Sequence, residues 1–198
     1  MIVSRETQGA FATYLNLLQK WNAHISLVSS GDAVSLQDRH IQDCYQLVDF
    51  ANNKLGTWLD LGSGGGLPGM VVAISRQSED LRVVLVESDK RKAAFLQSVI
   101  REVRLRNCTV LSKRIEELPC LNADYISARA LASLSKLLEY VDHHMKADGT
   151  AFLMKGKKWQ EEVSNARLEW NFDCEAYPSR TSPGSAILEI KRVSHAAL

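Results

Sequence analysis

No run in the chain approaches the roughly 18 to 20 consecutive apolar residues that a membrane helix needs, so no helical membrane span is expected. The opening stretch MIVSRETQGAFATYLNLLQKWN lacks the continuous apolar centre of a secretion signal. Its apolar residues are spaced as on a helix, and a cytoplasmic location is expected. The four cysteines, Cys44, Cys108, Cys120 and Cys174, form no C-x-x-C pair and no zinc-spaced His/Cys cluster. Buried, reduced thiols and no metal are the expectation. Net charge among the 198 residues is only +1, which gives little whole-chain support for nucleic-acid binding. There is no internal repeat and no low-complexity segment. No G-K-[ST] follows the glycine-rich loop, which excludes a P-loop for nucleotide triphosphates.

What is present has an order. Residues about 5 to 22 carry Phe11, Tyr14, Leu15, Leu18 and Trp21 at helical spacing. SSGD at 29–32 breaks the pattern, and Asp32 is placed to cap a second helix running to about Ala51. From TWLDL onward the pattern changes to alternating strands and helices. RVVLVE is a near-continuous apolar run, as expected for a strand buried on both faces of a parallel sheet. A helix capped by Ser88 or Asp89 follows, then strands at CTVLS and ADYISA. After them come a helix through LASLSKLLEYVDHHM, a DG turn, a strand at TAFLMK and a helix through KKWQEEVSNARLEW. FDCEAYPS and SAILEIKRV read as an antiparallel pair around a Pro/Gly-rich turn. The expected fold is α/β: a doubly wound, mostly parallel sheet of seven strands. Residues 1–54 form an N-terminal helical cap, and 55–198 form one compact ligand-binding unit.

The loop WLDLGSGGGLPG joins the first strand to a helix that Pro68 suits at its first turn. Ligands of such folds bind beyond the carboxyl ends of the strands, where this loop lies. Gly64, Gly66 and Gly69 satisfy G-x-G-x-x-G, and Glu87 ends the second strand about 20 residues on, where an acid would meet ribose hydroxyls. A dinucleotide therefore stays in play. Charge favours another ligand. Asp60, just ahead of the turn, would repel a pyrophosphate but attract the sulfonium and ammonium of S-adenosylmethionine. Taken alone, Asp60 also suits a helix cap and Glu87 a surface acid.

The residues resemble the RsmG (GidB) family of bacterial 16S rRNA guanine-N7 methyltransferases. LDLGSGGGLPG resembles its glycine loop down to the G-x-P-G ending at Gly66, Pro68 and Gly69. WNAHISLVS, RHIQDC, ESDKRKAAFL, KRIEEL, ISARALASL and LMKG resemble further family segments in the same order, over nearly the whole chain. His24 and Ser26 depart from its usual Asn and Thr, and Ser127 is separated from Arg129 by Ala128. SPGSAIL offers no basic residue before the last strand, leaving Arg180 as the nearest.

The resemblance implies a Rossmann-like class I methyltransferase sheet, S-adenosyl-L-methionine as cofactor, and 16S rRNA or the small ribosomal subunit as partner. It places Gly62, Gly64 and Leu67 on the cofactor loop. Glu87 becomes the ribose acid, Ile115 and Glu116 border the adenine, and Arg129 lines the cofactor and target pocket. Guanine N7 carries a lone pair and no proton, so no acid or base residue is assigned; Arg129 is expected to position. Lys90, Arg91, Lys92, Lys155, Lys157 and Lys158 follow strands on the pocket side and are expected to meet phosphate. Arg39 and His40 are expected to contact RNA, or form a lid, from the cap. A monomer is expected. The competing readings are a methyltransferase for a small molecule or protein, and a non-catalytic dinucleotide-binding module.

Overall fold

The computed structural model describes residues 4–28, 33–77 and 80–196, with residues 33–39 as backbone only. Two helices come first, α1 (Arg5–Asn22) and α2 (Ala33–Ala51). Ser4 caps α1 by accepting the Thr7 N–H at 3.1 Å. Asp32, the expected cap of α2, lies outside the described residues.

The alternating part follows as β1 (Gly56–Leu61), α3 (Gly69–Ser75), β2 (Leu81–Val86), α4 (Lys90–Val103) and β3 (Cys108–Leu111). A short 3-10 turn at Ile115–Glu117 precedes β4 (Ala123–Arg129), α5 (Leu134–His144) and β5 (Met145–Lys155). The chain closes with α6 (Trp159–Ala166), β6 (Trp170–Pro178) and β7 (Ala186–His195). The seven strands form one sheet in the order β3-β2-β1-β4-β5-β7-β6. Pairing is parallel from β3 through β5, and β7 runs antiparallel to both β5 and β6. The doubly wound sheet and its closing hairpin agree with the reading of the sequence.

Alternation along the strands divides the core in two. Trp58, Leu81, Val83, Leu85 and Phe152 face one side, where Phe11, Tyr14, Leu18 and Leu47 of the first two helices join Val71 and Phe95 of α3 and α4. Leu59, Leu61, Val86, Ile126 and Leu188 face the other side and pack with Leu137, Leu138 and Val141 of α5. The first two helices thus share one hydrophobic cluster with α3 and α4. Within it Trp58 stacks on Phe152 with ring centroids 5.5 Å apart.

Several boundaries differ from the sequence reading, three of them for reasons the structure shows. Pro68 caps α3 from outside rather than opening its first turn. α6 stops at Ala166, because Trp170 pairs with His195 across the β6–β7 ladder and is buried there. Burying that indole against the sheet outweighs another turn of helix. β5 starts at Met145, which pairs with Ala123; the ladder then skips to Tyr125 opposite Thr150, so the expected DG turn is a bulge within the strand.

Candidate active site

The glycine loop leaves β1 at the carboxyl edge of the sheet, and two neighbouring elements fix it. From β2, Ser63 N–H donates to the Val86 carbonyl at 3.0 Å. Glu87, buried at the end of that strand, accepts the Gly64 N–H on Oε2 at 2.7 Å and the Asp89 N–H on Oε1 at 2.8 Å. From α1, the fully buried Tyr14 hydroxyl donates to the Gly65 carbonyl at 2.5 Å. Three consecutive loop residues, Ser63, Gly64 and Gly65, are therefore each held by a hydrogen bond.

Beyond it opens a cavity of about 550 Å³. Gly62, Gly64 and Leu67 form one wall, Glu87 and Lys92 another, and Ile115 and Glu116 a third. Arg129 of β4, Ala130 and Leu131 after it and Tyr140 of α5 line it, with Leu27 and Val28 beyond α1 and His40 of α2. Leu27 and Val28 are in reach because their N–H groups both donate to Asn22 Oδ1, at 2.8 and 3.0 Å. Gly64 sits at φ +54°, in the left-handed region, and a Cβ there would meet nothing closer than the Gly62 carbonyl at 3.8 Å. A side chain at this position would stand in the cavity.

The third wall is braced from α5. Tyr140 donates its hydroxyl to Glu116 Oε1, and this bond holds the Glu116 carboxyl below its ordinary value. The buried His144 ring bonds the Ile115 carbonyl through Nε2 at 3.3 Å, and burial lowers its pKa. Arg129 reaches toward α2. Its Nη2 donates to His40 Nδ1 at 2.7 Å, Nη1 to Cys44 Sγ at 3.4 Å, and Nε lies 3.6 Å from Asp43 Oδ2. Since arginine only donates, His40 accepts at Nδ1 and carries its ring proton on Nε2.

The family profile described as rRNA small subunit methyltransferase G matches residues 7–182. The chain belongs to the GidB family. A ribosomal RNA small subunit methyltransferase G of Paracoccus denitrificans is 52% identical over 99% of this chain and 100% of its own length. One from Ruegeria sp. is 48% identical over 96% and 93%. The GidB fold is shared with remote solved structures. An S-adenosylmethionine-dependent methyltransferase from Aquifex aeolicus superposes with TM-score 0.61 at 14% identity, covering 81% of this chain and 99% of its own. A Methanococcus maripaludis protein described as a methyltransferase of the same dependence gives 0.62 at 12%, covering 100% and 99%.

Of the cofactor residues expected for a GidB chain, Gly62, Gly64, Leu67, Glu87, Ile115, Glu116 and Arg129 meet in the one cavity. Asp60 does not. It is fully buried, takes the Ser127 hydroxyl on Oδ1 at 2.6 Å, and lies so close to the start of α3 that a Cβ on Gly69 would fall 2.5 Å from its own. The alternation of β1 explains this, for Asp60 shares a face with Trp58, whose Nε1 donates to the same Ser127 at 2.9 Å. Burial pushes the Asp60 carboxyl up to about 6, against the opposing pull of the Ser127 bond. The electrostatic contact with a cationic ligand assigned to Asp60 is corrected to a buried support beneath the loop.

The basic residues scatter. Lys92 and His40 line the cavity, whereas Lys90 and Arg91 border an apolar groove beside Trp21 and Ile25. Lys157 and Lys158 are exposed before α6. The side chain of Arg39 lies outside the described residues. Lys155 is a correction: its side chain is 8% exposed, pairs with Glu162 at 2.6 Å and donates to the Ala132 carbonyl at 2.9 Å, so its ammonium braces the β4–α5 loop rather than meeting phosphate. Among the cysteines, Cys44 and Cys108 are buried as expected, but Cys120 is exposed. Among the described residues no cluster of metal-ligating side chains occurs, and no helix is long and apolar enough to cross a membrane.

Some wall residues escaped the sequence reading. Lys113 and Arg114, which open the KRIEEL segment, were given no place in the site, and both line the cavity. Tyr140 and Ser88 line it too. Tyr140 carried no signal, because it comes from α5, 24 residues beyond the Glu116 it bonds.

Proposed function

We propose that this GidB chain methylates N7 of a guanine in 16S rRNA of the small ribosomal subunit, using S-adenosyl-L-methionine, as a monomer in the cytoplasm. The observation that carries this reading is the clamp of Glu87 on Gly64 at the mouth of the 550 Å³ cavity, in a chain matched over its length by relatives bearing that name. When bound, S-adenosylmethionine supplies a methyl group on a positively charged sulfur, which a nitrogen lone pair displaces.

The residues fit such a cofactor. Each oxygen of Glu87 has a second lone pair, so the carboxylate can accept from two ribose hydroxyls while it still holds the loop. Leu67, Val86, Ile115 and Leu131 offer apolar wall for a purine. Gly62 and Gly64 let the ligand approach the backbone, and Glu116 stays ionised beside the 3-10 turn. No proton leaves guanine N7, so neither carboxylate of the cavity has to serve as a base, and the bonds that each already makes are compatible with the chemistry. Holding the acceptor in line and close to the methyl carbon does most of the work. His40 and Lys92 of the cavity, together with Arg39, Lys90, Arg91, Lys157 and Lys158 elsewhere on the chain, would meet the RNA. Residues 1–54 act as a cap that supplies Leu27, Val28 and His40 to the wall.

The test is base mapping of 16S rRNA from a strain lacking this protein. One N7-methylguanine should vanish and return on complementation. A complete set of N7-methylguanines in the deletion strain would refute the reading. Radiolabelled S-adenosylmethionine binding in the absence of NAD binding separates it from the dinucleotide module.

A further inference from the structure

A second cavity, of about 370 Å³, adjoins the first, and the two have Arg129 and Ala130 in common. Met154 and Ile187 give it apolar wall, and Asp43 and Glu162 are its acids. The two carboxylates are not equivalent. Glu162 Oε2 already takes Lys155 Nζ at 2.6 Å and the Leu134 N–H at 2.9 Å. Among the described residues, Asp43 accepts hydrogen bonds on one oxygen only. Its Oδ1 accepts from Thr181 Oγ1 at 2.5 Å, Gln46 Nε2 at 3.2 Å and Ser179 Oγ at 3.3 Å. These three donors lock the orientation of the carboxylate. Oδ2 has Arg129 Nε as its neighbour, at 3.6 Å, too far for a full hydrogen bond.

Arg129 has five N–H groups. Among the described residues, one goes to Cys44, one to His40, and Nε faces Asp43, which leaves one on each terminal nitrogen. A fixed acceptor in the second cavity therefore stands beside Arg129, a fixed donor in the wall that the two cavities share. Guanine presents the complementary edge, with the acceptor O6 next to the donors N1–H and N2–H. Adenine presents the reverse, a donor at N6 next to the acceptor N1, and would set like against like.

We propose that the second cavity is the guanine pocket and that Asp43 Oδ2 is its specificity-determining acceptor, taking the N1–H and N2–H of the target base with Arg129 donating to O6. This rests on the methyltransferase reading above and names how that site selects its base. The placement also suits the chemistry. A guanine held by N1 and N2 turns its N7 edge away from the carboxylate, and the cofactor cavity lies across the shared wall. An acceptor whose side chain is only 18% exposed further requires the base to leave its stack, as for other enzymes that act on a base.

The test uses small subunits rebuilt with semi-synthetic 16S rRNA that carries either guanine or inosine, which lacks the N2 amine, at the target. Wild type should lose about 10- to 100-fold in kcat/KM on inosine, the range of one good base-edge contact. Asp43→Ala should lose a similar factor on guanine, treat guanine and inosine alike, and change the KM for S-adenosylmethionine by no more than about threefold. Asp43→Asn, which keeps the side chain's size and the Oδ1 contacts, should likewise lose the preference. A full guanine preference retained by both variants, or abolished by Glu162→Gln instead, would overturn the assignment. Failure of wild type to methylate the guanine particle would sink the methyltransferase reading itself, a result distinct from either.

Discussion

Glu87 and Gly64 are joined across 23 residues of sequence by one hydrogen bond of 2.7 Å, the side-chain bond that ties the end of β2 to the glycine loop. Because the other oxygen of Glu87 holds Asp89 N–H, the same carboxylate sets the loop and the start of α4 together. Glu87→Ala should weaken S-adenosylmethionine binding by about 10- to 100-fold, the range for a lost hydrogen bond to a charged group. Calorimetric titration reads this directly, and an unchanged dissociation constant would remove Glu87 from the site.

Gly64→Val asks a residue with a branched side chain to hold φ +54° and to project into the cavity. The strain costs on the order of 1–3 kcal/mol. Cofactor binding should fall well beyond what the loss of stability explains. Gly9, on the exposed face of α1 with open space around it, is the matched control. Gly9→Ala should leave binding as it is.

Asp60 ties stability to pH. Its folded-state pKa of about 6 lies above the ordinary carboxylate value near 4. The folded protein then holds this proton more tightly than the unfolded chain. The stability it contributes is fully present below about pH 4 and is lost as pH rises through about 6. Asp60→Asn should flatten the fall in urea-unfolding free energy between pH 4 and 7. The difference is on the order of 3 kcal/mol if nothing else rearranges. Parallel pH profiles for the two proteins would show that Asp60 does not carry this dependence.

Tyr14→Phe removes one buried donor and leaves the Gly65 carbonyl without it. About 1–2 kcal/mol of stability should go. The KM for S-adenosylmethionine should rise along with it, since the loop loses its tie to α1. A loss of stability alone, with KM held, would reduce Tyr14 to a core residue.

Lys92 and Lys155 make a contrasting pair. Lys92→Glu, combined with Lys90→Glu, should weaken RNA binding and lower the steepness of its salt dependence. Lys155→Ala should act on the fold instead, because it strands Glu162 and the Ala132 carbonyl, at about 2 kcal/mol. Binding isotherms at several salt concentrations, beside thermal melts, separate the two effects.

The sheet was legible because buried parallel strands write themselves as apolar runs, and LRVVLV and GTWLDL leave little else to be. The cavity was legible where its residues are neighbours in sequence, at Gly62–Leu67 and Ile115–Glu116, and through the acid ending β2. Asp60 was misjudged for a readable reason. Its position beside the glycines suggested a charge facing ligand, while the two-residue period of β1 puts it with Trp58 beneath α3. Tyr140 and the second cavity were beyond reach. That cavity draws Asp43, Arg129, Glu162 and Ile187 from four distant segments, and only the finished fold brings them together. The ends of α6 and β5 were lost to long-range pairing, Trp170 with His195 and Met145 with Ala123.

Arg129 is gripped by His40, Asp43 and Cys44, residues from a different end of the gene. A donor gene with other residues at those three positions, exchanged over the first fifty codons, would leave the arginine without its grip. A graft of N-terminal helices onto this sheet therefore keeps the cavity wall only when the triplet travels with its arginine.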